Sequence, residues 1–247
     1  MWIEKSENQR PAYLSGKAQE AMSQSRQSVF VTGGTGYLGR SLVPRLLERG
    51  HTVRVLVRAG SEGKLPPGCE AVTGDPLDAD SFKRHVRRAD TFVQLVGVAH
   101  PSPAKAAEFR RIDLVAGKAG IRAAAEAVAR HFVYLSVAQP APMMKAYLAV
   151  RAECEAEIRA IGLPATILRP WYVLGPGHRW PYLFLPFYRL MEVLPATREG
   201  ALRLGLVTLE QMTAALVEAV EGPIEGVRTM GVSEIRAASE RLQVQPN

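Results

Sequence analysis

Two hydrophobic rhythms alternate along this chain. Short, nearly continuous apolar runs, rich in β-branched residues, occur at 29–31, 52–57, 70–73, 90–96, 132–136 and 165–168. Between them apolar residues recur at helical spacing, first as Leu38, Leu42, Leu46 and Leu47 in residues 38–49. Further helical stretches are expected at about 80–88, 104–129, 143–161 and 208–221. Apolar runs without alternation read as strands covered on both faces, and strands that alternate with helices build an α/β, doubly wound parallel sheet. Right-handed crossovers would then set the strand C-termini, with Gly97, Ser136 and Pro170, along one ligand crevice.

Breaks in the pattern divide the chain. Residues 1–27 are rich in Gln, Ser and Glu, with Pro11 and Gly16, and read as a flexible extension carrying one short helix at about 17–22. Residues 28–174 hold the regular alternation. Residues 175–247 read as a smaller, partly irregular C-terminal substrate or partner lobe packed on it. Pro44 falls inside the first helical pattern and is expected to kink it, and Gly50 closes it. The stretch 180–194 concentrates Trp180, Tyr182, Phe184, Phe187 and Tyr188, which would wall a substrate pocket, line a partner surface or cap the sheet as core.

The first strand runs straight into glycines at 33, 34, 36 and 39, and then into a helix. This order is the context in which a glycine turn binds a dinucleotide. The glycines allow backbone N–H groups to approach a pyrophosphate, and the helix N-terminus adds unpaired donors. Thr32, Gly33, Gly34, Thr35, Gly36, Tyr37, Leu38, Gly39 and Arg40 are therefore the expected phosphate loop, with Val96 and Gly97 facing it from the strand 90–96. NAD-preferring folds place a carboxylate at the end of the second strand, where it accepts from the ribose 2′-OH. Here that position is Arg58, with Arg40 and Arg54 nearby. A guanidinium fork suits a 2′-phosphate, so NADP is expected over NAD.

Composition changes little in this picture. Hydrophobic residues make up 47% and charged residues 22%, as in a chain that buries a real core. The net charge of +7 suits a phosphorylated ligand, an acidic partner or nothing specific. The basic run Lys83–Arg88 lacks interleaved aromatics and reads as a solvated face, so nucleic acid is not expected. Cys69 and Cys154 have no zinc-like spacing and fit a reducing compartment, and no metal site is expected. No secretory signal or run of about 18 apolar residues occurs, so the expectation is a soluble, cytoplasmic protein without a membrane span. His100 and His131 read as loop or edge residues.

With these residues assembled, the chain from about 28 to 232 resembles the extended and atypical short-chain dehydrogenase/reductase superfamily. Gly33, Gly36 and Gly39 match its Thr-Gly-x-x-Gly-x-x-Gly fingerprint, and Gly74-Asp75-Pro76 is similar to its adenine-contacting segment. Arg169-Pro170 with Val173–Gly177 resembles its Leu-Arg-Pro…Tyr-Gly-Pro-Gly stretch near the nicotinamide. Residues 205–214 resemble the start of its last large helix.

The resemblance implies a Rossmann fold, cofactor contacts from Asp75, Pro76 and Pro170, and a catalytic Tyr-x-x-x-Lys pair. Tyr147 and Arg151 stand at that spacing, on one helix face, with arginine in place of lysine. Tyr147 would be the acid/base group, with Arg151 lowering its pKa and holding the ribose. The family's catalytic hydroxyl position aligns with Val137, and Ser136 stands one residue earlier. Asp113 stands where extended members often carry asparagine. The implied activity is NADPH-dependent reduction of a small carbonyl, quinone-like or isoprenoid substrate. The alternatives are a non-catalytic cofactor-binding accessory or redox-sensing subunit, as in complex I or NmrA-like regulators, and a sugar-nucleotide epimerase or dehydratase.

Overall fold

The computed structural model of the chain describes residues 26–88, 90–176, 200 and 203–244. The expected extension before residue 26 and the aromatic stretch 180–194 lie outside the described residues. β1 (Ser28–Thr32), β2 (Thr52–Val57), β3 (Glu70–Thr73), β4 (Asp90–Gln94), β5 (His131–Leu135), β6 (Ala165–Leu168) and β9 (Val227–Met230) form one parallel sheet. Its order is β3-β2-β1-β4-β5-β6-β9, with the strand order reversing between β1 and β4. In such doubly wound sheets ligands bind at that switch point, beyond the strand C-termini. A second, two-stranded sheet pairs β7 (Tyr172–Leu174) with β8 (Leu206–Thr208).

The central strands are largely apolar because helices cover both faces. On one face, residues of α1 (Gly39–Glu48), α5 (Leu209–Glu221) and α6 (Val232–Val244) close over Val29, Val31, Val55 and Val93. On the other, α2 (Ala79–Phe82), α3 (Val115–Glu126) and α4 (Lys145–Ala160) cover Phe30, Phe92 and Phe132. These three phenylalanines are register partners on neighbouring strands, so their rings fall in a row, each 5.3 Å from the next. Gly117 and Gly120 let α3 lie close to the sheet and α4; a Cβ would stand 2.6 Å from the Cys154 sulfur at the first and 2.8 Å from Gln94 at the second.

Several expectations change. β9 pairs with β6, and α5 and α6 belong to the same core as β1. Among the described residues, those beyond 174 therefore share the core of the main sheet. α1 keeps to its expected span, running through Pro44 to Glu48. The expected helix at 80–88 ends at Phe82 and tightens into a 3-10 turn, Lys83–His85. The expected long helix at 104–129 is helical without a gap from 106 to 126, but its Phe109–Leu114 stretch is π-helical and turns Phe109 and Asp113 inward.

His131 is neither loop nor edge, but the fully buried first residue of β5, 3.2 Å from the Thr166 hydroxyl. Burial, aided by the charges of Arg228 and Arg130, pushes its pKa down from 6.5 to about 4. The unfolded chain therefore takes up a proton between those values that the folded chain refuses. Stability is complete above pH 6.5 and falls as pH drops through that window, by about 2 kcal/mol between pH 7 and 5. Urea midpoints across this range should show the slope, and His131→Gln should flatten it. A flat profile for the unaltered chain would remove the argument.

Candidate functional site

The first loop is shaped by close backbone approach. Gly33 has φ +76°, and a Cβ there would stand 2.9 Å from the Leu95 carbonyl carbon and 3.0 Å from the Val96 nitrogen. Gly34 lies against Val55 of β2, where a Cβ would come within 2.4 Å of a methyl. The turn closes through the Gly36 amide, which donates to the Gly33 carbonyl at 3.0 Å. α1 then begins with Leu38 at its cap position and no side-chain cap. The Arg40 and Ser41 amides of its first turn donate to the Gly36 and Leu38 carbonyls at 3.0 and 3.1 Å, and with no side-chain cap or acidic residue in that turn the positive end of the helix dipole favours an anion there.

A cleft of about 490 Å³ opens on this turn, at the switch point of the sheet. Gly33, Thr35, Gly36, Arg58, Asp75, Pro76, Val96 and Gly97 line it, so the structure brings these expected cofactor residues together. The remaining ones support the wall. Thr32 donates to Gln94 at 2.5 Å and ties β1 to β4, and Leu38 packs into the core. The Tyr37 hydroxyl lies against Gly175, where a Cβ would stand 2.2 Å away. Arg40 donates to the Thr35 carbonyl at 2.8 Å, which steadies the turn from outside. Pro170 is buried at the end of β6, and its carbonyl accepts from the Ala138 amide at 2.9 Å.

Sequence reasoning missed Ser61, Lys64, Lys105 and Glu108, which also line this cleft. They sit in loops and short turns whose positions follow from topology rather than from local pattern. Arg54 is the reverse case. It is buried as the third residue of β2, with its guanidinium paired to Asp90, and takes no part in the cleft.

The expected catalytic residues separate into two groups. Tyr147 and Arg151 share a face of α4, with the guanidinium carbon 5.1 Å from the Tyr147 ring centre. Phe109 also packs against that ring, with centroids 4.9 Å apart. Arg151 is buried, and donates to Asp113 at 2.5 Å and to the Leu135 carbonyl at 2.9 Å. Burial opposes its charge, yet Tyr147, Tyr134 and Asp113 outweigh that, and its pKa is raised. Burial likewise raises the Asp113 pKa, with Arg151 and the Val98 amide opposing.

Ser136 belongs to the second group. Its hydroxyl is buried and donates to Glu155 at 2.6 Å. Glu155 also accepts from Gln139 and Arg169, both at 2.9 Å, and from Arg159 at 3.0 Å. Burial alone would raise this carboxyl's pKa, but Arg169 and Ser136 hold it below the usual value. The sequence carried a signal for it: Glu155 lies four residues beyond Arg151 on the same helix face. Gln139 and Arg169 continue into a second cleft of about 400 Å³ beside Thr229 and Ser233.

Known proteins share this architecture. A family model described as NAD(P)H-binding matches residues 33–178. The ceramide reductase of Caulobacter vibrioides is 29% identical over 214 residues, 86% of this chain and 66% of the relative. A mitochondrial subunit 9 of the NADH dehydrogenase (ubiquinone) 1 alpha subcomplex from Arabidopsis thaliana is 26% identical over 206 residues, 77% of this chain and 49% of the relative. The chain thus spans two-thirds or less of the length of these relatives. Among solved structures, the Bordetella bronchiseptica enzyme WbmH in complex with NAD+ superposes with a TM-score of 0.62 at 20% identity, covering 90% of this chain and 84% of that one. Among the described residues, no helix is long and apolar enough to cross a membrane.

Proposed function

The chain belongs to the NAD(P)H-binding family, and on that premise we propose that it is an NADPH-dependent oxidoreductase reducing a small carbonyl, quinone-like or isoprenoid substrate. The observation that carries this reading is the cleft itself. A glycine turn without room for side chains, an uncapped helix start and the Gly97 backbone meet there, and all three suit a dinucleotide. When bound, the nicotinamide supplies the hydride.

In this reading Gly33, Thr35 and Gly36 hold the pyrophosphate, Asp75 and Pro76 meet the adenine, and Val96 and Gly97 form the inner wall. Tyr147 donates the proton to the substrate oxygen. Its ring packs against Phe109 and the Arg151 guanidinium, which restrain it. The name of the Caulobacter relative, a ceramide reductase, supports reduction. Tyr147→Phe should lower turnover by about a hundredfold, the low end for a lost general acid, and leave NADPH affinity within about twofold. Full turnover in that variant would remove Tyr147 from the reaction.

The preference for NADP rests on Arg58, Ser61 and Lys64, which line the same cleft as Asp75. Two cations and a hydroxyl match a 2′-phosphate. Arg58→Glu should weaken NADPH ten- to a hundredfold, the worth of a lost charge-assisted bond, with NADH nearly unaffected. Equal losses for both coenzymes would remove the argument.

A second reading, a cofactor-binding accessory or sensing subunit, draws on one observation. The two side chains expected to assist Tyr147 are both engaged elsewhere, Arg151 with Asp113 and Ser136 with Glu155. The complex I relative supports the same view. Tight NADPH binding with no turnover across a broad carbonyl and quinone panel would favour it. Epimerisation of a sugar nucleotide ranks below both, because it calls for the intact Tyr/Lys pair.

A further inference from the structure

We propose that Arg151 and Asp113 act as one positioning unit that sets the Gly97–Val98 backbone, and through it NADPH affinity, without touching the coenzyme. The proposal rests on the reading of the cleft above and assigns the pair a task there. Both side chains are almost fully buried, Arg151 at 3% exposure and Asp113 at 1%. One carboxylate oxygen of Asp113 accepts from Arg151 Nη2 at 2.5 Å, and the other accepts from the Val98 amide at 3.0 Å. Gly97 lies directly on the pair: a Cβ there would stand 2.5 Å from Arg151 Nη2 and 2.9 Å from Asp113 Oδ1. Gly97 and Val98 in turn line the cleft.

The guanidinium is anchored from behind. Nη1 donates to the Leu135 carbonyl at 2.9 Å, and the Tyr134 and Tyr147 rings lie 5.8 and 5.1 Å from the guanidinium carbon. Arg151 therefore joins β5, α4 and the loop after β4 at a single point. A planar fork can reach Asp113 and Leu135 together while lying against two rings. A lysine ammonium is a point charge and cannot span them in that way. Asp113 reaches the site because the π-helical stretch Phe109–Leu114 turns it inward. Buried ion pairs are weak devices for stability but can fix one arrangement among several.

The test compares Asp113→Asn, Arg151→Lys and the double variant of the full chain. NADPH titration calorimetry gives affinity and stoichiometry separately, and hydrogen exchange of the Val98 amide is followed in ligand-free protein. Each single variant should bind NADPH about tenfold or more weakly with stoichiometry retained, and exchange Val98 faster. The double variant should be no weaker than the worse single, since both act on one loop. Lysine should fail to rescue despite its charge. If a single variant does not fold, Gly97→Ala wedges the loop off the intact pair and should give the same loss. Unchanged affinity, additive losses, or a fall in stoichiometry alone would overturn the proposal. Failure of the unaltered chain to bind NADPH would overturn the cofactor reading with it, whereas binding that survives in every variant sinks the positioning unit alone.

Discussion

An alanine at position 39 is expected to cost the protein most of its NADPH affinity, at least about a hundredfold, and about 1–3 kcal/mol of stability. Gly39 is the first residue of α1. A Cβ on it would stand 2.4 Å from the Gly33 oxygen, 2.4 Å from the Gly34 Cα and 2.5 Å from the Gly34 carbonyl carbon. All three are backbone atoms, so no side chain can rotate away. Either α1 lifts from the turn or the turn shifts. Both displace Gly33 and Gly36 from the cleft and separate the helix N-terminus from the anion it would face.

Gly63 is the control for this result. It has open space within 4 Å, and Gly63→Ala should be silent in both measurements. Calorimetric titration of both variants, with urea melts of each, separates the local clash from general glycine loss. Affinity within about threefold of the unaltered chain for Gly39→Ala would show that the turn does not make the site.

Much of this arrangement is legible in the sequence, because parallel strands covered on both faces leave apolar runs that nothing else explains. The run ending at Val31, the glycines after it and the leucines of α1 give β1, the turn and the helix directly. What resists reading is pairing over long sequence distance. Arg54 has the same side chain as Arg58, yet four residues along β2 separate a buried ion pair from the cleft rim. The partner that makes the difference, Asp90, is visible only once β1 lies between β2 and β4.

Asp113 is hidden for a related reason. An alanine-rich segment predicts one smooth helix, and periodicity gives no hint of the π-helical stretch that turns Asp113 toward Arg151. Ser136 shows how unforgiving the strand period is: one residue of slip sends the hydroxyl to Glu155. Tyr147 and Arg151 are legible as neighbours because four residues make a helical turn. Whether the guanidinium points to the ring, the ribose or a carboxylate depends on elements more than thirty residues upstream.

The pair at the far end of the strands provides the opposite experiment to Gly39→Ala. Asp90 is fully buried as the first residue of β4, and accepts from Arg54 Nη2, the Ser28 hydroxyl and the Arg87 amide, each at 2.6 Å. Asp90→Ala strands the Arg54 guanidinium, which is 1% exposed and left with the His85 carbonyl and the Phe30 ring, 5.6 Å away. Breaking one side of a buried pair costs about 3–5 kcal/mol. That is a large part of the roughly 5–15 kcal/mol that holds a typical domain folded. The urea midpoint should fall by more than about 1 M. Replacing both partners, Arg54→Met with Asp90→Leu, removes the stranded charge and should recover part of the loss.

Because the pair sits at the strand N-termini and the cleft at their C-termini, the folded fraction of Asp90→Ala should bind NADPH with unchanged affinity and reduced stoichiometry. Gly39→Ala should instead lose affinity well before it unfolds. If Asp90→Ala melted within about 1 kcal/mol of the unaltered chain, the carboxylate would be replaceable by water, and the sheet would owe its alignment to the Phe30–Phe92–Phe132 row instead.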